Sequence, residues 1–457
     1  MTGQHEEVWD VVVAGGGMAG ITAAVAAART GAKTLLIEQA GWLGGIGITG
    51  ATGLHSFFNI FGAHAGVGRK RVVAGIAQEL VDRCRMLGGA LGHVPMEKGA
   101  DFVSMLTPVD PEVFRWVAVD TCLQAGVRLL FPTVAEDVRA EAGHVEALVV
   151  WNKAGRRVIR ARQFVDCTGD GIIAAAAGAP TIRFKPGDPG AYSAGFTFRL
   201  CNVDLGAMEA DLERRGMITQ LAHAVKPGMS QPDLVRLAIN MRPLREAGVD
   251  KAPGGFLSSS VRPREITYCN CINYGPNDGL DVEALSDAEI VLRGKMFDVV
   301  EVFRKHIAGC ENCYPAGATP SVGQRRALAI RCDYELTAED CIQARQFDDQ
   351  IGCFAFIDNP RDFVQNGGAY GIPYRALIPQ GLDNLLIAGR MMTVELSAHN
   401  STRNTVCCMV CGQAAGTAAA MAADDGKGSR EVDAGALRAR LAQDGALLEP
   451  RDDPMLA

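Results

Sequence analysis

Residues 11–38 read VVVAGGGMAGITAAVAAARTGAKTLLIE. Asp10 to Ala14 is a short apolar run that stops at glycines, which predicts a buried parallel strand. Met18 to Gly31 is dominated by alanine and predicts a closely packed helix. Lys33 to Glu38 predicts a second buried strand. Together they make one βαβ unit of about 30 residues. Each glycine in the turn has a task. Gly15 permits the tight turn, Gly17 lets a phosphate approach bare backbone, and Gly20 lets helix and strand pack closely. The helix start then offers free N–H groups and a partial positive charge to an anion. Glu38 closes the second strand 18 residues after Gly20. A carboxylate there accepts hydrogen bonds from ribose hydroxyls and disfavours a 2′-phosphate. With 53 glycines in the chain, a glycine pattern alone is weak. The strand, helix and acid around this one make it a dinucleotide site.

Further along, residues 41–70 are glycine-rich (WLGGIGITGATGLHSFF begins at Trp42), as in a loop running close to a ligand. Val72–Leu87 and Pro111–Ala125 predict helices, and Val127–Phe131 a strand. Val145–Trp151 and Arg157–Ala161 flank Asn152-Lys153-Ala154-Gly155, a hairpin signal. Gln163–Thr168 predicts a buried strand ending in Gly169-Asp170-Gly171. From 181 to 364 proline and glycine recur and strands (Gly195–Leu200, Arg264–Asn270) mix with helix (Ser286–His306). This predicts an inserted domain. The first style returns with a strand at Asn384–Ala388, a helix at Cys407–Ala423 and a closing surface helix at Ala434–Gln443. The expected architecture is α/β: a Rossmann-like dinucleotide domain over 1–180 and 365–424, made of a parallel sheet plus a β-meander. A mixed α+β substrate or cap domain (181–364) is inserted in it, and a C-terminal helix and tail (425–457) follow.

Two later turns choose between dinucleotides. Asp166-Cys167-Thr168-Gly169-Asp170-Gly171 resembles the second flavin fingerprint. Asn384-Leu385-Leu386-Ile387-Ala388-Gly389-Arg390 resembles the third. The helix from Cys407 could aim its N-terminus at the flavin pyrimidine and stabilise the charge that builds there on reduction. With these pieces the chain resembles FAD-dependent oxidoreductases of a bacterial group. They are related to the fumarate reductase/succinate dehydrogenase flavoproteins and share the glutathione-reductase-type FAD fold. WLGG, YELTAED, YGIPYRALIPQGLDNLLIAGR and GQAAGTAAA extend the likeness over nearly the whole length. The resemblance implies FAD contacts at Gly15, Gly17, Gly20, Glu38, Gly44, Gly45, Asp170 and Gly389. Met18, Ala19, Gln39, Val134, Thr168, Gly169, Arg390, Cys407 and Cys408 join them as cofactor-binding candidates. The chain departs from the family pattern at GQRRALAIR (323–331) and ELSAHNSTR (395–403), where Arg325, Ser401 and Arg403 match and neighbours do not.

Candidate catalytic groups must lie near the flavin ring. His55 in the glycine-rich loop and His399 before the last long helix have the imidazole pKa range suited to proton transfer. Tyr374 and Arg375 are candidates to bind substrate or steady the flavin loop. Arg325 and Arg403 are candidates to grip a carboxylate bidentately. Each has a structural alternative: a capping histidine, a clamp between domains, a partner for FAD phosphate or a buried acid. Cys310 and Cys313 form a CxxC, Cys269 and Cys271 a CxC, and Cys407, Cys408 and Cys411 a cluster. None matches a zinc or iron–sulfur spacing, and no metal is expected. No cysteine pair follows the first fingerprint, which argues against a disulfide reductase. No second glycine turn of this kind occurs, so electrons are expected to come from an organic substrate and leave to oxygen, a quinone or a protein carrier.

Bulk properties exclude other classes. The chain has 457 residues and a net charge of −7, which supplies no electrostatic reason to bind nucleic acid or an anionic membrane. Val406–Ala422 is apolar but reads as a buried core helix. The start carries no signal-peptide pattern, and 14 scattered cysteines suit the reducing cytoplasm. The leading expectation is hydride transfer between flavin N5 and a small polar substrate lying under the inserted domain. A flavin monooxygenase, a redox-neutral flavin isomerase and a flavin subunit of an electron-transfer complex are the alternatives. A homo-oligomer is compatible with all of them.

Overall fold

The computed structural model describes residues 8–49, 54–55, 70–99, 103–359, 361–366, 368–392 and 395–453. Its main sheet uses β1 (Val8–Ala14), β2 (Thr34–Ile37), β3 (Arg128–Leu130), β4 (Val134–Glu141), β5 (His144–Asn152), β6 (Gly155–Asp166) and, from far down the chain, β7 (Leu385–Ile387). β1 lies between β2 and β6, parallel to both. β3 extends the sheet beyond β2, and β7 lies against the end of β6, again parallel. Val11, Val12 and Val13 are fully buried, as a strand covered on both faces requires. The first part of β6 pairs antiparallel with β5, and β5 with β4, which is the meander. The hairpin strand and the buried strand expected separately at 157–161 and 163–168 are one continuous 12-residue strand. The chain stays extended through Ala161 and Arg162 because β1 pairs with this strand from Arg160 to Asp166.

The helix α1 (Met18–Arg29) follows β1. The helices α2 (Leu396–Thr402) and α3 (Thr405–Asp425) close the same domain. α1 and α3 touch backbone to backbone. A Cβ on Gly412 would overlap the Ala19 carbonyl, and one on Gly416 the Ala23 carbonyl. The Thr22 hydroxyl donates across the contact to Met409 O at 2.9 Å. α3 is the one helix among the described residues long and apolar enough to cross a membrane, and 89% of its apolar window is buried inside the protein.

The inserted segment builds a six-stranded antiparallel sheet. Its order is Ile218–Val225, Pro232–Asn240, Gly255–Ser259, Glu265–Tyr274, Ala194–Cys201, Tyr314–Ala318. A helix over Val282–His306 packs on it, capped by the Asp281 carboxylate on Glu283 N and Ala284 N. That cap explains why the helix starts four residues before Ser286. Buried apolar side chains between Ala194 and Cys313 form a core of their own. Those from Ile330 to Val364 join the core of the first domain, as do Leu437 and Leu441 of the closing helix Ala434–Gln443. The result is the expected Rossmann-like domain with a meander and an α+β cap.

Candidate functional site

The first glycine turn is shaped by close approach. Gly15 has φ +101°, and a Cβ there would overlap Cys167 O. A Cβ on Gly20 would overlap Gly15 O. Gly17 is different: a Cβ there would meet nothing within 4 Å. Gly17 is also the N-cap of α1, no side chain caps that helix start, and Gly44 pairs in parallel with Gly17 across the turn. This is the cradle a pyrophosphate needs. Glu38 stands beside it. Its carboxylate accepts from Gly16 N and Ala40 N, both at 2.6 Å, and burial raises its pKa above the usual carboxylate range. Gln39 is exposed just beyond. Thr133 N donates to Glu38 O at 2.8 Å, which places Val134 at the same end of the sheet. Gly44 N donates to Gly16 O at 2.9 Å, and Gly45 lies against Gly17, so the loop folds back onto the turn. Gly17→Ala is expected to leave the stability of the flavin-free protein within about 0.5 kcal/mol while weakening a pyrophosphate ligand at least about tenfold. A fluorescence titration with FAD checks this; equal affinity would mean that the diphosphate does not lie against Gly17.

The second and third turns meet next to the first. Asp166 is fully buried. It accepts from the Thr168 N–H and hydroxyl and from Ile173 N and Ala174 N, so it builds the second turn rather than facing a ligand. Asp170 pairs with Arg390 of the third turn at 2.8 Å, across Gly169. Gly389 has φ +136°. The N-terminus of α3 arrives at the same place: a Cβ on Gly47 would press on both Met18 and Thr405 Cγ2. No side chain caps α3 either, because the Asn404 amide donates to Asn400 O and Ser401 O instead. Cys407 and Cys408 occupy this first helical turn. Burial raises both thiols, that of Cys408 to about 12, so both stay protonated.

Beyond the third turn lies a buried cluster of cations. His399 is fully buried on α2 and neither ring nitrogen has a hydrogen-bond partner among the described residues. The Arg325 carbonyl is close but outside hydrogen-bond geometry. Burial holds the imidazole well below its usual range, and Arg326, Arg403 and Arg390 reinforce this. Tyr192 packs against it with ring centroids 5.6 Å apart, and Arg403 lies over the Tyr192 ring at 5.5 Å. The Tyr192 hydroxyl donates to the Asn400 side chain, and Arg403 pairs with Asp358. Arg325 donates to Ser193 O at 3.2 Å, and among the described residues no carboxylate lies within ion-pair distance of it. Arg326 stacks on Phe184 at 3.6 Å, and burial lowers it to about 10. The cap reaches the cluster through Gly195, whose backbone pairs with Gly323, and through Thr197, whose hydroxyl donates to Thr49 O of the flavin-side loop. Among the described residues Arg325, Arg390 and Arg403 share two carboxylates here, Asp170 and Asp358.

The histidine has a pH signature. The unfolded chain takes a proton on His399 near about pH 6.5 that the folded site refuses, so stability is full above that pH and falls as the pH drops through it. His93, which burial holds at about 4, acts with the same sign. His399→Gln is expected to flatten part of the acid limb of Tm against pH between about 6.5 and 5. An unchanged slope would mean that the folded imidazole is charged.

The remaining sequence candidates lie elsewhere. Tyr374 is buried with its hydroxyl on Ser429 O at 2.7 Å, which makes it a clamp on the C-terminal segment. Arg375 is an exposed partner of Asp349 at 3.3 Å, stacked over Tyr334. In the structure their polar atoms are spent on the domain's own periphery, as in the clamp that stood as the alternative to binding substrate or steadying the flavin loop. The backbone of His55 pairs with Leu106, but its side chain lies outside the described residues. Sequence reasoning missed Tyr192, Arg326, Asp358 and Asn400. The doubled arginine of GQRR was the only local signal among them.

A family model described as FAD dependent oxidoreductase matches residues 10–441. No curated protein matches the chain. Among solved structures, a geranylgeranyl bacteriochlorophyll reductase-like protein of Thermoplasma acidophilum is 13% identical, over 96% of this chain and 83% of that one, with a TM-score of 0.46. A flavin-dependent brominase is 12% identical over 95% and 84%, with a TM-score of 0.48. GidA of Aquifex aeolicus is 16% identical over 92% and 64%, with a TM-score of 0.46. These likenesses are distant and carry no functional argument.

Proposed function

This chain belongs to the FAD dependent oxidoreductase family, and on that premise we propose that it exchanges a hydride between flavin and a small anionic organic substrate seated at the Arg325–Arg403–His399 cluster. FAD is the cofactor, and the open cradle at Gly17 beside Glu38 fits it. The observation that supports the substrate class is Arg325, half-buried and with no carboxylate within ion-pair distance among the described residues, beside His399, whose ring nitrogens have no hydrogen-bond partner among those residues.

When bound, FAD supplies the hydride chemistry through its ring nitrogen N5. The protein does the rest. Arg325 and Arg403 orient an anionic group of the substrate, and their planar forks suit a carboxylate or a phosphate. His399, neutral at physiological pH, is able to accept a proton from a substrate hydroxyl or amine as hydride leaves the neighbouring carbon, or to return one in reduction once charged. Tyr192, held by Asn400, walls the site on the cap side and excludes water. Asp358 holds Arg403 in place.

Monooxygenation is the second reading. It would place one atom of molecular oxygen in the substrate and release the other as water, with two electrons and two protons supplied through an external reductant such as a reduced nicotinamide. We propose the reducing cytoplasm as its compartment, since 14 cysteines are scattered through the sequence without the spacing of a disulfide framework.

Anaerobic mixing of the holoprotein with a panel of hydroxy acids, amino acids and phosphorylated metabolites tests the main reading. Bleaching of the flavin band by an anionic member is expected. If no member bleaches it, and photoreduced flavin is reoxidised by none of the corresponding unsaturated or keto acids, hydride exchange with such substrates fails. Labelled molecular oxygen appearing in the product would select monooxygenation instead.

A further inference from the structure

We propose that the outward face of the cap helix Val282–His306 is the contact surface of a two-fold homodimer. The inner face of this helix is spent on the cap core through Ala288, Leu292, Met296, Val299, Val300 and Phe303. The outer face would ordinarily be polar, yet Ile290 is 72% exposed and Phe297 59%. They stand seven residues apart, on one stripe of the helix, and Gly294 lies between them with open space where a side chain would be. Two large apolar groups around a bare glycine leave room for a second helix to cross closely.

The stripe is complementary to itself. Ile290 and Phe297 are equally far from the midpoint between Arg293 and Gly294, and so are Glu283 and Arg304. A second copy laid antiparallel across that midpoint brings Ile290 of each chain onto Phe297 of the other. It also brings the acidic first turn, with Glu283, onto the basic last turn, with Arg304, Lys305 and His306. Opposed helix dipoles favour the same arrangement. An isologous contact of this kind closes after two chains and leaves no free half to propagate. The sheet edge at Tyr314–Ala318 adds Tyr314, 49% exposed, to the same domain surface. A 25-residue helix is about 37 Å long, and one such stripe buries less than the roughly 800 Å² per partner of a standard interface. The dimer is therefore a weak one, with a dissociation constant on the order of 1–100 µM.

Sedimentation velocity of the holoprotein over about 1–200 µM tests this. A shift from the 48.4 kDa monomer toward twice that mass is expected as concentration rises. Phe297→Arg should hold the protein monomeric over the range, with flavin content and Tm unchanged because the side chain is outside the core. Glu283→Lys and Arg304→Glu should each weaken association about tenfold or more and restore it when combined, since the pairs then meet with charges exchanged. A wild-type protein that stays monomeric throughout overturns the proposal, as does a dimer that survives Phe297→Arg. A double variant no tighter than either single one overturns the antiparallel pairing on which it rests.

Discussion

Gly20→Val is expected to yield a protein that retains no flavin and is destabilised by several kcal/mol, roughly 3–5. Even a single Cβ at this position would overlap Gly15 O, which belongs to the turn that positions the phosphate-facing backbone. The overlap falls on backbone, so no rotamer change relieves it. α1 has to move off β1, and it is wedged on its other side by α3, where Gly412 and Gly416 already allow no side chain. A domain holds only about 5–15 kcal/mol in all, so most of the margin is lost. The contrast with Gly17→Ala is informative. One glycine is needed by the fold itself, the other by the ligand. Denaturant unfolding of the flavin-free proteins separates them: Gly20→Val should unfold at much lower denaturant and Gly17→Ala should not. A Gly20→Val protein as stable as wild type would mean that α1 does not sit on this turn.

Arg325→Met is expected to lower kcat/KM for the physiological substrate about 100–1000-fold, or about 3–4 kcal/mol, with flavin content unchanged. The methionine keeps most of the buried volume and removes the charge and the fork. The loss should fall largely on substrate affinity, because the anion is held alike before and during transfer. Arg325→Lys should recover only part, since a point charge does not replace a bidentate grip. Removing Arg403 is a less clean experiment. Its loss also leaves Asp358 without its cation, and that carboxylate then opposes the substrate. A kcat/KM within threefold of wild type for Arg325→Met would remove Arg325 from the substrate site.

The dinucleotide half of the molecule was legible because its chemistry is local. Residues 11–38 carry strand, turn, helix and acid within one unit, and the structure places them in that order. The turns at 166–171 and 384–390 were recognised as separate pieces, and β6 and β7 bring them side by side. What local reading misassigned is equally instructive. Tyr374 and Arg375 sit in a segment that looked like a flavin-facing loop, but their partners, Ser429 and Asp349, lie 55 and 26 residues away in the chain. No pattern in the segment announces them. Asp166 opens the second turn without being one of its candidate contacts, and its burial makes it the pin of that turn. The cation cluster is the opposite case. Arg325, His399 and Arg403 each stood out singly. Tyr192 gave no signal, because one tyrosine in a proline- and glycine-rich stretch has no period and no neighbour. Only the packing of α2 against the cap brings the four together. The histidine's neutrality follows from that packing and from no property of the residues next to it in sequence.

We propose that this cluster selects an anion beside the flavin. Its most direct test is an anaerobic titration of the holoprotein's flavin absorbance with paired ligands, each carboxylate against its own neutral amide. Saturable perturbation or bleaching by at least one carboxylate is expected, with at least about tenfold weaker binding of its amide and loss of that preference in Arg325→Met. Equal response to acid and amide in the wild type, or a preference that survives Arg325→Met, would contradict it.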